Sequence, residues 1–291
     1  MTEERRLMAI HAHPDDEASK GAGMMAKYAK VGRVKVVTAT GGERGSILNP
    51  ALVGDEQIVE NLTEIRRAEM AAAAEALGIE HSWLGFADSG LPEGDPLPPI
   101  PEGSFALQPM EVVVEALVRE IREFRPQVIT TYNEIGGYPH PDHIRVHTAS
   151  IAAVAAARDP YAFPDAGEPW MVSKVYYDAG FNRDRIEAFH KVIMEKTGSS
   201  PFSDWLALRR GTSTKVCARV HVADYFLQRD AALRAHATQI DPDGFFFAMP
   251  RDIEADIWPW EDFVLAMTTV GRSNAQERDL FERVPDVEPL F

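Results

Sequence analysis

The chain has 291 residues, of which 45% are hydrophobic, and its formal net charge at pH 7 is −15. This acidic balance argues against binding to a nucleic-acid backbone or to an anionic membrane surface, because both attract clustered Lys and Arg. No apolar run is long enough to cross a bilayer, no secretion signal precedes the first strand, and the single cysteine cannot form an internal disulfide, which together predict a cytoplasmic protein.

The first predicted strand ends in an unusual group of ionisable side chains. Residues 7–10 (LMAI) predict a buried strand, and the sequence HAHPDDE follows directly. Pro14 suits the first turn of a helix, which we expect to continue to Lys30. His13 and Asp16 are three residues apart, so a helical turn would bring them to one side. A histidine and a carboxylate on one side are two ligands of a metal site that needs a third.

Two further strands and a helix are predicted before residue 90. The loop after the second strand contains Glu43 and two adjacent glycines, and we interpret Glu43 as a residue beside the metal site, a substrate contact or a solvated acid. The loop after the third strand contains Asp88. None of these loops contains a GxGxxG motif, so a dinucleotide site has little support. The predicted elements are a strand at 34–40, a helix at 64–77 and a strand at 79–84.

A second His-Pro-Asp turn follows the fourth predicted strand. A proline-rich loop (residues 91–109) and a helix (residues 110–124) come first, then a strand at 128–132 and the sequence GGYPHPDHIRVH. This turn contains Tyr138, His140, Asp142 and His143 and leads into a helix that ends near residue 157. The alternative interpretation is that each Asp serves only as a helix cap, but capping requires no histidine. The pair of turns therefore favours one shared site.

The alternation of strand and helix predicts an α/β fold. We expect a Rossmann-like parallel sheet with helices on both faces, plus a smaller mixed C-terminal part. Residues 1–180 would form the core, and residues 181–291 would complete the pocket within the same domain. We expect the charged segment from residue 272 to be poorly ordered, although Leu290 and Phe291 could dock. The later predicted elements are strands at 172–177, 216–222 and 263–269 and helices at 183–196 and 225–236.

The loops with chemically active side chains all follow a strand, and in a parallel sheet such loops share one edge. We predict that His13, Asp16 and His143 bind a metal ion and leave positions open for water and substrate. Asp15 would then be free to act as a general base.

The second turn supplies the remaining catalytic candidates. His140 would stabilise an oxyanion or protonate a leaving amine, Asp142 would orient His140, and Tyr138 would donate to the oxyanion. These groups fit amide hydrolysis. Two alternatives use the same ligand types: a non-haem iron oxygenase, which the alternating elements disfavour, and a metal-dependent sugar-binding module, which would not need Asp15.

The motifs AHPDDE (residues 12–17) and PHPDH (residues 139–143) together resemble the LmbE-like, or GlcNAc-PI de-N-acetylase, family of metal-dependent enzymes. The resemblance implies zinc, with iron(II) as an alternative, at the three predicted ligands, and it supports the roles given to Asp15 and His140. It also implies that Arg66 and Asp88 contact sugar or inositol hydroxyls, whereas composition alone would place Arg66 on the surface. His236 and Gln239 would close the pocket or serve in capping and packing.

Further segments are similar to the branch of this family that hydrolyses mycothiol S-conjugates, among them TGGERGSILNP, WLGFADSGLPEG and LRAHATQIDP. Lys20 fits this branch, and we expect it to contact the acyl group. Asn133 and Ile135 depart from the pattern of the branch. The implied substrate is a small-molecule thiol–sugar conjugate, and the alternative is the acetylated glucosaminyl-inositol used by the deacetylase branch. We expect the proline-rich loop and residues 245–247 to hold the variable thioether substituent.

Overall fold

The computed structural model describes residues 3–208 and 215–287. Its strands are β1 (Arg5–His11), β2 (Gly32–Thr40), β3 (Glu80–Phe86), β4 (Val128–Thr131), β5 (Lys174–Asp178), β6 (Ala218–His221) and β7 (Trp260–Thr268). Its α-helices are α1 (Asp16–Ser19), α2 (Ala22–Ala29), α3 (Glu56–Glu60), α4 (Leu62–Leu77), α5 (Met110–Phe124), α6 (Pro141–Ala157), α7 (Arg183–Thr197), α8 (Ser203–Leu208), α9 (Phe226–Ala235) and α10 (Arg251–Ile257).

The described strands form one seven-stranded sheet in the order β3-β2-β1-β4-β5-β7-β6. The first five strands are parallel, and β7 runs antiparallel to both β5 and β6. The predicted α/β fold is therefore confirmed, including the mixed C-terminal part. The chain order reverses between β1 and β4, and ligands bind at such switch points in open α/β sheets. Both His-Pro-Asp turns follow these two neighbouring strands.

Helices cover both faces of the sheet because successive side chains of a strand point to opposite sides. Leu7 and Ala9 of β1 belong to one apolar cluster, which includes residues of α2, α4 and α9. Met8 and Ile10 belong to a second cluster, which includes residues of α5 and α6. The apolar run of β1 is thus buried on both sides, as a central parallel strand requires.

The continuous helix predicted after Pro14 is instead two helices, α1 and α2. Gly21 separates them with a positive φ of 78°, a conformation that favours glycine. The carboxylate of Glu261 on β7 accepts hydrogen bonds from the backbone N–H groups of Gly23 and Met24 in the first turn of α2. A partner distant in sequence thus satisfies the start of α2, which local helix signals could not reveal.

The prediction of a poorly ordered segment from residue 272 is wrong for the described part of it. Leu280 and Phe281 are fully buried in the cluster that α2, α4 and α9 share. Glu277 is also buried and pairs with Lys174 of β5 at 2.8 Å. The charged composition of this segment led to a wrong prediction of disorder, because acidic residues such as Glu277 are paired with buried partners. The predicted docking of Leu290 and Phe291 lies outside the described residues.

The sheet continues across residue 180, since β5 pairs with β7. The division into residues 1–180 and 181–291 of one domain remains a prediction.

A third apolar cluster joins α7 and α8 to the segment around Met249. Among the described residues, no helix combines the length and apolar character that a bilayer span requires.

The buried position of the C-terminal segment predicts a specific loss of stability. Leu280→Ala should lower the free energy of unfolding by about 2–5 kcal/mol, because it removes buried methyl groups and leaves a cavity. Leu227→Ala is the matched control: Leu227 is 80% exposed, and its change should stay within about 0.5 kcal/mol. Urea unfolding followed by circular dichroism would measure both. Equal midpoints for the two variants would contradict the packing described here.

Candidate metal centre

Three predicted ligands from two loops meet at the switch point. His13 Nδ1 lies 3.3 Å from His143 Nε2, and Asp16 Oδ2 lies 3.8 Å from His13 Nδ1 and 3.5 Å from His143 Nε2. Ligand atoms about 2.0–2.2 Å from a tetrahedral ion would be about 3.3–3.6 Å apart. The separations of 3.3 and 3.5 Å fall in this range, and the separation of 3.8 Å between His13 and Asp16 is slightly longer. The three atoms could hold a divalent ion with at least one coordination position left open.

The other ring nitrogens of the two histidines are also occupied. His13 Nε2 lies 3.2 Å from Asp142 Oδ2 and 3.5 Å from Asp88 Oδ1. His143 Nδ1 lies 2.9 Å from the Gly136 carbonyl oxygen. Histidine ligands of metals usually donate their second N–H to a carboxylate or a carbonyl in this way, which fixes the tautomer and the ring orientation.

Gly136 is required for this arrangement. Its φ is 72°, and a Cβ atom on it would lie 2.6 Å from the Cβ of His143. Any other residue would push the histidine away from the centre.

Other donor groups near His13 are less suitable as ligands. His13 also forms close groups with His140 and His143, and with Asp88 and Asp142. His140 Nδ1 accepts the backbone N–H of Asp142 at 3.1 Å, so only its Nε2 remains available. Asp142 and Asp88 face the second nitrogen of His13 and accept backbone N–H groups from Ser89 and Gly90. The set His13, Asp16 and His143 leaves all these bonds intact.

Tyr132 and Lys20 fix the carboxylate of Asp16. The Tyr132 hydroxyl donates to Asp16 Oδ2 at 2.5 Å, and Lys20 Nζ donates to Asp16 Oδ1 at 2.5 Å. The tyrosine ring also stacks on His143, with ring centroids 4.2 Å apart. Lys20 is thus engaged with a predicted metal ligand, and its expected contact with an acyl group stays a prediction.

Two of the three predicted ligands, His143 and Asp16, have pKa values that favour the charge states of metal ligands, whereas the pKa of His13 is raised. Burial lowers the pKa of His143 to about 3, which keeps its imidazole neutral. Burial opposes the ionisation of Asp16, but Lys20 and the nearby histidines hold its pKa well below the usual value. Burial alone would lower the pKa of His13, yet hydrogen bonds with Asp142 and Asp88 raise it to about 10. Metal binding must therefore displace a proton from His13, and it weakens as the pH falls.

Asp15 is held in a strained turn next to the predicted ligands. Its φ is 117°, which is unusual for a residue with a side chain. Its backbone N–H donates to Glu17 Oε2 at 3.0 Å, and Glu17 Oε1 lies 2.5 Å from Nε2 of the fully buried His236. Arg66 lies 3.2 Å from Asp15 Oδ2. The composition-based expectation that Arg66 lies on the surface is wrong, because the residue is only 2% exposed.

In the second His-Pro-Asp turn, the contact of Asp142 differs from the one that the sequence predicted. The Asp142 carboxylate was expected to orient His140, but it lies against His13 instead. The reason is that Asp142 is in the first turn of α6, which directs its side chain towards the loop after β1. The His140 ring lies beside His13, with centroids 4.6 Å apart, and Tyr138 packs against His143 at 4.6 Å.

The predicted substrate-binding residues are mostly buried around the centre. Glu43 Oε1 accepts the backbone N–H of Asp88 at 2.8 Å, and Asp88 in turn accepts the N–H of Arg44. Gln239 is buried and donates to Thr238 Oγ1 at 3.2 Å. His236 is fully buried and contacts Glu17, and both of its interpretations remain predictions. Their contacts with substrate remain predictions.

A cavity of about 510 Å³ opens beside the centre. Lys20, Tyr132 and Tyr138 line its inner end. Asn133 and Ile135, the two departures from the family pattern, also line it, as does Phe246. No residue of the loop 91–109 does, so the expectation that this loop holds a substituent there is wrong for this cavity.

Comparison with known proteins shows which family the chain belongs to. Residues 8–154 match the family model described as PIG-L, GlcNAc-PI de-N-acetylase, and this range contains both turns. The chain belongs to the GlcNAc-PI de-N-acetylase family. The resemblance stated from the two motifs is confirmed, and membership in a family of deacetylases and amidases argues against the oxygenase alternative.

Relatives cover almost the whole chain. It is 53% identical to a mycothiol S-conjugate amidase of Streptomyces coelicolor over 98% of this chain and 99% of the relative. It is 37% identical to a 1D-myo-inositol 2-acetamido-2-deoxy-alpha-D-glucopyranoside deacetylase of Nocardioides, over 97% and 99%. The N,N'-diacetylchitobiose deacetylase structure of Pyrococcus horikoshii superposes with a TM-score of 0.62 at 20% identity, covering 91% and 84%, and thus shares the fold.

Sequence reasoning missed two residues of the centre, Tyr132 and Glu17. Tyr132 directly follows β4, the position that signalled the other site residues, but it was read as the end of the strand. Glu17 was noted among the ionisable side chains of the first turn without a role. Its function as acceptor for the Asp15 backbone depends on His236, which is 219 residues away in sequence.

The arrangement of donors predicts the metal content of variants. His13→Ala, Asp16→Ala and His143→Ala should each abolish retention of a divalent ion, because each removes one of three ligands. Elemental analysis of purified protein would measure this. The matched control is His221→Ala, which removes an exposed histidine on β6 and should leave the metal content unchanged. Full metal content in all three ligand variants would contradict the assignment.

Proposed function

We propose that this protein is a zinc-dependent amidase that cleaves the amide between glucosamine and N-acetylcysteine in mycothiol S-conjugates. The proposal depends on three features that meet at one edge of the sheet: a set of candidate metal ligands, the Asp15 carboxylate, which is not among these ligands, and a large cavity. The amidase relative at 53% identity over nearly the full chain supports the substrate class. The deacetylase relatives, at lower identity, give the alternative substrate.

The proposed ligands are His13, Asp16 and His143. Two nitrogen donors and one oxygen donor with short separations suit zinc, and iron(II) accepts the same set. When bound, the ion would supply Lewis-acid activation of water and of the amide carbonyl group. The remaining chemistry belongs to side chains around it.

Asp15 would take the proton of the attacking water. Its side chain is 24% exposed, which leaves it accessible from the open side of the centre. Burial raises the pKa of Asp15, and Arg66 opposes this rise. Glu17 and Arg66 hold the residue on both sides, by its backbone and by its carboxylate. A positioned base of this kind needs no reorganisation when the substrate arrives.

His140 and Tyr138 would act on the opposite side of the amide. Burial lowers the pKa of His140, and the proximity of His13 lowers it further. A proton that His140 receives would therefore be readily given to a leaving amine. The Tyr138 hydroxyl would donate to the developing oxyanion. Asp142 would act indirectly, by orienting His13.

The cavity favours the amidase over the deacetylase. An acetyl group has three non-hydrogen atoms and needs only a small pocket, whereas the cavity of about 510 Å³ falls within the size range of drug-sized ligand sites. An N-acetylcysteinyl group with a thioether substituent would use this volume. Lys20 lies between the centre and the cavity, where it could contact the carbonyl groups of such an acyl chain.

Replacement of the proposed base should separate catalysis from metal binding. Asp15→Asn should lower kcat by about 10²–10⁴-fold, because it removes only proton transfer. Asn also tolerates a positive φ, so the turn should persist. The control Asp243→Asn changes an exposed residue and should retain full activity. Metal content and kcat would be measured for both. Wild-type kcat in Asp15→Asn would refute the proposed mechanism.

A comparison of two substrates tests the proposed function. We expect a higher kcat/KM for the bimane conjugate of mycothiol than for N-acetylglucosaminyl-inositol, because only the conjugate occupies the cavity. Release of the glucosaminyl-inositol amine would be measured for both substrates with the same zinc-loaded protein. A higher value for the acetylated substrate would favour the deacetylase and leave the metal assignment intact.

A further inference from the structure

The cavity beside the metal centre has an aromatic lining. Phe181, Trp205 and Phe246 line the cavity, as does Tyr177 of β5. Phe181 and Phe246 contact each other, with ring centroids 6.2 Å apart. Such rings bind flat apolar groups, and their faces also attract cations. The cavity is therefore built to receive a bulky substituent.

The charged side chains that line the cavity are mainly acidic. Glu134 lies at the rim, where burial of Tyr177 and the nearby Glu134 carboxylate raise the pKa of the tyrosine to about 12. Asp178 lies at the carboxyl end of β5 and accepts the Gly180 N–H at 2.9 Å. Among the described lining residues Lys20 is the one cation, and its ammonium group already pairs with Asp16.

The metal centre does not reverse this charge. A divalent ion would bring two positive charges, and Lys20 and Arg66 bring two more. The carboxylates of the centre balance them; these are Asp15, Asp16, Asp88 and Asp142. Arg185, which lies near Asp178, is paired with Glu254 at 2.9 Å. Burial raises the pKa of Asp178 to about 7, so this carboxyl group is only partly ionised near neutral pH. Among the described residues that line the cavity, Glu134 therefore sets the sign of the potential at the rim.

We propose that this cavity is a charge-selective subsite for the thioether substituent, which binds aromatic groups that are neutral or cationic and rejects anionic ones. The inference rests on the proposed function, because it identifies the cavity with the acyl side of the amide substrate. Glu134 is its specificity-determining residue at the rim. A cation would gain from both the ring faces and the Glu134 carboxylate, whereas an anion would meet like charge at the rim.

Three mycothiol conjugates of matched size test the proposal. Their S-benzyl groups would carry a para-trimethylammonium, a para-tert-butyl or a para-sulfonate substituent. We expect kcat/KM for the cationic conjugate to exceed that for the anionic one by roughly tenfold or more, as expected for unit charges a few ångströms apart near a protein surface. Glu134→Lys should lower this ratio by at least roughly tenfold, because it reverses the charge at the rim.

The control variant is Glu123→Lys, which makes the same change of net charge at an exposed position on α5 that does not line the cavity. It should leave the ratio of the two conjugates unchanged. Raised salt should reduce the ratio in the wild-type protein, since a rim charge is partly screened.

The outcomes separate the subsite from the proposed function. For conjugates that are not cleaved, inhibition constants against the acetylated substrate replace kcat/KM, so that the charge order is measured in every case. Failure to cleave any conjugate would refute the amidase function, while the charge order would still report on the cavity. Equal values for cationic and anionic conjugates, or the same shift in Glu123→Lys as in Glu134→Lys, would overturn the subsite.

Discussion

The imidazole ring of His13 joins the two halves of the centre, and the rest of the site depends on its orientation. One nitrogen faces Asp16 and His143, and the other faces Asp142 and Asp88. A rotation of the ring would break contacts on both sides at once. This is possible only because β1 and β4 are neighbours in the sheet, so that loops more than 120 residues apart in sequence leave the same edge.

Burial of charged groups around this ring has an energetic cost that their pairing offsets. Glu17 and His236 have no exposed side-chain surface, and Arg66 is nearly as buried. Unpaired, such groups would each cost several kcal/mol, whereas pairs with good hydrogen-bond geometry approach balance. These buried pairs fix the position of a neighbouring residue. Glu17 and Arg66 hold Asp15 in a backbone conformation that it would otherwise rarely adopt. Stability and catalytic geometry are therefore coupled in the turn after β1.

The metal centre bears on the type of reaction, whereas the cavity bears on the choice of substrate. The centre is built from residues within the range that matches the family model, and its chemistry suits hydrolysis of an amide on either candidate substrate. The cavity is lined partly by Phe181, Asn182, Trp205 of α8 and Phe246, all after residue 180. It is this later part of the chain that would distinguish a large acyl group from acetate. A shared fold among deacetylases therefore does not fix the substrate.

The sequence alone determined the order of the seven strands and the longer helices along the chain, the α/β fold and the two turns that meet at the switch point. It did not predict the short helices α3, α8 and α10. Strong local signals carried that information: apolar runs, helix stops and two His-Pro-Asp turns in equivalent positions. The bounds of α5 were predicted without error, because its apolar periodicity is pronounced and Pro126 lies two residues beyond its last residue.

Only the tertiary structure decided which atoms face each other. It assigned Asp142 to His13 instead of His140, added Tyr132 to Asp16, and placed the Glu17–His236 pair beneath Asp15. It also divided the first helix at Gly21 and buried Leu280, whose charged neighbours had indicated disorder. These features depend on pairs of residues far apart in sequence, whose contacts form only when the sheet and its helices pack together. Local patterns determine where a chain turns, but a contact requires both partners to be in place.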